Sequence, residues 1–141
     1  MKIQRLVMFV FLIAFGLFPQ VGCRKVEVFS IIGLWEIDQT LYFPDEPFLN
    51  YQAAYLFSGN ETEGTVSRYP FAQGTLRGVY TVTGDKVTFG FYQFHGMYSS
   101  VTRYTGHIYR ELDKIMGTVE SKHYYFGNLE SSYGGPFVAT R

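Results

Sequence analysis

The feature that most constrains this chain is residues 76–94, LRGVYTVTGDKVTFGFYQF, two alternating runs joined by Gly84-Asp85. A Gly-Asp dipeptide between alternating apolar positions is the signature of a two-residue hairpin turn. Counting outward from the turn sets the register. Val82 faces Val87, Tyr80 faces Phe89 and Gly78 faces Phe91 on one side of the ribbon. On the other, Thr83 faces Lys86, Thr81 faces Thr88 and Arg77 faces Tyr92. One side is apolar and the other mostly polar, as in an antiparallel sheet buried on a single face. Gly78 also leaves room for the Phe91 ring opposite it.

The rest of the chain repeats this grammar. IIGLWEIDQTLY (31–42) reads as the first strand, with Trp35 and Ile37 on one face and Glu36 and Asp38 on the other. FPDEPFLN follows as a loop, marked by Pro44, Asp45 and Pro47. Strands are predicted at 52–57 and 65–69, separated by the polar turn SGNETEG, and YPFAQG leads into the central hairpin. Beyond Phe94 come a loop FHGMYSS, a sixth strand at 101–110, a tight turn near 111–114 and a seventh strand at 115–122. A long aromatic loop, HYYFGNLESSYGG, precedes the eighth strand at 137–141. No helical periodicity follows the N-terminal segment. Eight short strands, with no connection long enough for a crossover helix, predict an all-β, eight-stranded antiparallel up-and-down (meander) barrel. A two-sheet sandwich is the alternative. Closure suits a chain with 12 Tyr and 14 Phe, because it removes exposed sheet edges.

The barrel is expected over 31–141, with a tether at 23–30 and a signal peptide at 1–22. Lys2 and Arg5 precede LVMFVFLIAFGLF, an uncharged run of 13 residues. That fits the ~7–15-residue core of an export signal and falls short of the ~20 residues that span a bilayer. An N-terminal membrane helix is the alternative. The one cysteine, Cys23, follows in PQVGC, so no intramolecular disulfide is available. Val21-Gly22-Cys23 resembles the lipobox of bacterial lipoproteins, with Gln20 where that family usually places an aliphatic residue. The resemblance implies cleavage before Cys23, lipidation of its thiol, and anchoring in the cell envelope, at the outer membrane or cell surface. A free thiol beside a cleavage site is the other reading.

Gly33-Leu34-Trp35 has the form G-x-W at the start of an all-β chain. With GVYTVTGDKVTF, MGTV and the terminal GPFVATR, it resembles small bacterial lipocalin-like lipoproteins. The resemblance implies a Trp35 packed across the closed end of the barrel and a small apolar or aromatic ligand at its mouth. Trp35, Tyr80, Val82, Phe89, Phe91, Tyr104 and Ile108 are the expected interior. An avidin-like pocket is disfavoured, since that family uses several Trp and this chain has one.

In a meander barrel, connections alternate between the two ends. The odd ones here, FPDEPFLN, YPFAQG, FHGMYSS and HYYFGNLESSYGG, are long and aromatic; the even ones are short or polar. Loops on a rigid scaffold carry binding residues disproportionately. The aromatic end is therefore the candidate site, with Phe43, Phe48, Tyr69, Phe71, His95, Tyr98, His123, Tyr124, Tyr125 and Tyr133. These side chains either receive a ligand, dock on an envelope protein over a filled barrel, or fold back to plug the mouth. An eight-stranded barrel is only just wide enough to be filled or to hold one small ligand.

Other chemistries find little support. With 12 basic and 12 acidic residues and no basic cluster, nucleic acid is not an expected partner. The histidines His95, His107 and His123 are scattered, so no metal or other cofactor is expected, although His95 and His123 share the open end. His107 should point outward beside Thr118 if Ile108 points in. There is no G-x-S-x-G elbow. Glu36 and Asp38 lie on the outer face, and Asp45 and Glu46 sit in a Pro-rich loop. The chain is not expected to be an enzyme.

Overall fold

The computed structural model describes residues 29–45, 47–70 and 76–141. The segment 1–28, on which the expected signal peptide and Cys23 fall, lies outside the described residues, as do Glu46 and Phe71. The strands are β1 (Gly33–Leu41), β2 (Leu49–Gly59), β3 (Glu63–Tyr69), β4 (Arg77–Thr83), β5 (Lys86–His95), β6 (Tyr98–Tyr109), β7 (Lys114–Tyr125) and β8 (Asn128–Thr140). Each pairs antiparallel with the next, and β8 closes on β1 to complete an up-and-down barrel. A sandwich is thereby ruled out. The one helical element among the described residues is a 3-10 turn at Arg110–Leu112.

The central hairpin has the register expected from its turn, with Val82 opposite Val87, Tyr80 opposite Phe89 and Gly78 opposite Phe91. From there the alternation carries around the barrel. Trp35, Tyr80, Phe89, Phe91, Tyr104 and Ile108 are all buried, and Val82, close to the turn, is half-buried against the same core. Gly78 is needed for closeness of approach, since a Cβ there would collide with the carbonyl of Gly90 on the next strand. Such glycines allow the sheet to bend into a small barrel.

Rings fill the bore. Phe57 meets Phe89 edge to face at 5.1 Å, Phe89 stacks on Tyr104 at 4.4 Å, and Tyr104 meets Phe137 at 5.3 Å. Each fully buried aromatic contributes about 2–3 kcal/mol by leaving water.

Trp35 closes one end. Its Nε1–H donates to the Ile31 carbonyl at 2.8 Å, and the Arg141 guanidinium lies 5.1 Å from its ring centroid. Arg141 also pairs with Asp113 at 2.9 Å and donates to the Ser30 carbonyl at 2.7 Å. The Ser30 hydroxyl donates to Glu61 at 2.6 Å, so the chain enters the barrel beside the β2–β3 turn. Arg110 pairs with Asp85 at 2.9 Å, which places the Gly84-Asp85 turn at this same end.

The opposite end differs from expectation. FHGMYSS and HYYFGNLESSYGG are not loops. β5 runs to His95 and turns through Gly96-Met97, and β6 already begins at Tyr98 rather than 101. β7 continues to Tyr125 rather than 122, turns through Phe126-Gly127, and β8 starts at Asn128 rather than 137. The small polar residues that suggested loops, such as Ser99, Ser100, Ser131 and Ser132, lie where the sheet has outgrown the core. There both faces can meet water and alternation loses its meaning. β5 extends past its last β4 pair, Gly78–Phe91, while β8 meets β1 only over 137–140. One isolated bridge, Tyr42–Gly134, lies beyond that. The upper ends of β5 to β8 therefore project past the barrel as a four-stranded flap. A bulge between His123 and Tyr124 shifts the β7–β8 pairing from Ser131 to Leu129 and leaves Glu130 extra.

Candidate functional site

The flap ends in two hairpin tips tied to each other. The Phe126 N–H donates to the Met97 carbonyl at 2.9 Å. Tyr98 on β6 and Tyr125 on β7 face each other with ring centroids 4.7 Å apart, and Phe126 packs edge-on against Tyr125 at 4.7 Å. Despite these contacts the tips stay open to solvent, with Phe94 65%, Met97 51%, Tyr98 54%, Phe126 64% and Leu129 56% exposed. Neither stretch 92–102 nor 123–129 contains a charged residue.

Phe126 is the unusual residue. It sits at φ 49 in the first turn position, with Gly127 at φ 78 in the second. Such turns favour Asn-Gly, because a bulky L-residue at positive φ is strained. The chain keeps a large exposed ring where Asn would fold more easily.

Behind the tips, the inner wall changes character. Above the buried rings, the inward positions of β6 to β8 hold small hydroxyls and a histidine. Thr102 and Ser121 share a hydrogen bond of 2.9 Å, and His123 Nε2 lies 3.0 Å from the Tyr133 hydroxyl. The Tyr133 ring stacks on His123 at 5.2 Å and packs tilted against Phe43 at 4.5 Å. Across the bore, the Tyr104 hydroxyl donates to Gln39 Oε1 at 2.8 Å. Burial holds the Tyr104 phenol well above its ordinary range, reinforced by the neighbouring Tyr55, whose own pKa burial also raises. Arg68 lies 5.5 Å over the Tyr51 ring at the same rim.

The expected site residues therefore divide. Phe43 and Tyr133 fold back and pack against the core, with His123 stacked on Tyr133. Tyr98 and Tyr125 come together at the tips. Phe48 and Tyr69 are exposed on the rim. Tyr124 points outward and is half-buried. His95, Tyr98, His123, Tyr124, Tyr125 and Tyr133 are strand residues rather than loop residues. His95 and His123 share the inward face but stand on β5 and β7, with β6 between them. His107 points outward opposite Met116, not Thr118. Among the described residues no group of three or more His, Cys, Asp or Glu is placed to hold a metal. Phe94, Met97, Phe126 and Leu129 were not singled out in the sequence. The available signal was glycine beside a large apolar residue, in Gly96-Met97 and Phe126-Gly127.

No protein-family model matches this chain, and no curated protein matches its sequence.

Proposed function

We propose that this chain is an exported, lipid-tethered, non-enzymatic envelope protein that docks on another protein through the tips of the flap. The strained and exposed Phe126 carries the reading. Backbone strain of this kind persists where something other than stability maintains it. A neutral cluster of Phe, Met and Tyr is the composition of an interface core rather than of an ordinary surface. The chain enters at the far end of the barrel, so a lipid on Cys23 would hold the Gly84-Asp85 end toward the bilayer and present the tips away from it. Trp35 under Arg141 at the closed end is consistent with the lipocalin-like resemblance.

A second reading has one observation of its own. The hydroxyl-lined rim with Arg68 and His123 suits a small polar ligand at the mouth, while the ring-filled bore leaves no reason to expect an apolar one deeper in.

The test is site-specific photo-crosslinking in cells, with the photoreactive residue at Met97 or Phe126 and a control at Asp85. One discrete adduct from both tip positions and none from Asp85 is the expected result. No tip adduct, together with a small molecule retained in native mass spectrometry, would replace docking with mouth binding.

A further inference from the structure

The outer wall of the barrel carries a feature unrelated to the tips. Over β4, β5 and β6 runs a trough of about 420 Å³, within the ~300–1,000 Å³ of small-ligand sites. Its floor is Gly90. A Cβ there would come 2.5 Å from the Thr102 carbonyl oxygen, so the missing side chain is dictated by the approach of β6. That vacancy in the outer row is flanked by Val79 across the β4 pairing and by Arg103 across the β6 pairing. One step along the strands lie Tyr92 and Val101, which face each other. Val79 and Tyr92 are 66% and 63% exposed, so the trough has apolar walls in contact with water.

Its charge is one-sided. Arg77 and Arg103 line the trough, and among the described residues no acidic one does. Neither arginine has a carboxylate partner among the described residues. Glu120 lies directly opposite Arg103 on β7, but its carboxylate is held by Lys122 at 3.1 Å. Two guanidinium groups with no carboxylate partner among the described residues, set beside an apolar trench, complement a molecule with a flat apolar body and one negative head.

We infer that this outer trough is a binding site for a small amphipathic anion, an aromatic carboxylate or sulfonate. The ring body lies over Gly90 between Val79 and Tyr92, and the anionic group is taken by Arg103 and Arg77. The site stands apart from both the mouth and the tips, so it holds whether or not the docking reading does.

The probe is 2-naphthoate, titrated into the intact isotope-labelled chain and followed by NMR, with 2-naphthalenemethanol as its uncharged counterpart. Saturable shifts centred on Val79, Gly90, Tyr92 and Val101 are expected, with the alcohol binding at least tenfold more weakly. Arg77→Gln and Arg103→Gln should each weaken naphthoate about tenfold. Val79→Glu, at an exposed position away from the core, should abolish binding without loss of fold. Equal binding of acid and alcohol, indifference to both arginine substitutions, absence of saturation, or shifts centred on His123 and Tyr133 would each overturn the assignment.

Discussion

Phe89 on β5 and Tyr104 on β6 lie face to face, their planes 3° from parallel and their centroids 4.4 Å apart. Being directly opposite in register, they close the bore at mid-height with two stacked rings. Offset-stacked aromatic pairs of this kind add about 0.5–1.5 kcal/mol beyond their burial.

Phe89→Ala should therefore cost about 3–5 kcal/mol, the transfer of the ring plus the cavity left behind. Tyr104→Phe keeps the stack but leaves Gln39 Oε1 without its donor, for a loss of about 1–3 kcal/mol. Urea unfolding of both variants measures the two terms separately. A Phe89→Ala protein destabilised by less than about 1 kcal/mol would mean that the bore is not packed as described.

Alkali should unfold the barrel. The phenols of Tyr55, Tyr80 and Tyr104 are all raised above their ordinary value, chiefly by burial. Below about pH 10 these phenols are protonated in both the folded and the unfolded chain, and the stability is intact. Above it the unfolded chain ionises first, so stability falls by about 1.4 kcal/mol per pH unit for each such tyrosine until its folded pKa is reached. Tyrosinate absorbance should show an early exposed class and a late class that appears together with loss of the β-sheet circular dichroism. A single smooth titration with the sheet intact would contradict this.

Phe126→Asn separates strain from recognition. Asn tolerates positive φ, so the variant should gain about 1 kcal/mol in stability. The Met97 crosslink to a partner should be lost in the same variant. A protein both less stable and still able to crosslink would show that the ring serves the fold.

Arg141→Ala should loosen the closed end. The side chain holds Asp113, the Ser30 carbonyl and two ring faces at once. Its loss should cost about 1–3 kcal/mol, the range for hydrogen bonds to charged groups. Trp35 is the only tryptophan, so its fluorescence reports this end alone and should shift to the red. Unchanged emission would mean that Trp35 is sealed without Arg141.

How much of this was legible follows from where the core is. The hairpin around Gly84-Asp85 was readable to the residue, because both of its strands have one dry face and one wet face. Trp35, Phe89 and Tyr104 could be placed inside for the same reason. The flap was not readable, since alternation carries information only where one face is dry. Around Ser99, Ser100, Asn128 and Ser131 strand and loop look alike, and the two glycine turns that define the tips were absorbed into imagined loops. Tyr98 and Tyr125 were named for their rings, but nothing in the sequence says that they meet. The trough over Gly90 needed the outer register of three strands at once.

The chain enters at one end of the barrel and offers its tips at the other. On the proposed tether and docking, a pull between the N-terminus and a partner would therefore run parallel to the strands. β1, the first strand to feel that pull, is bonded on one side to β2 and on the other to β8. Its hydrogen bonds would be loaded in shear, all together, instead of being unzipped one after another from a free edge. The closed meander thus makes the molecule stiffest along the axis on which a tether and a partner would strain it.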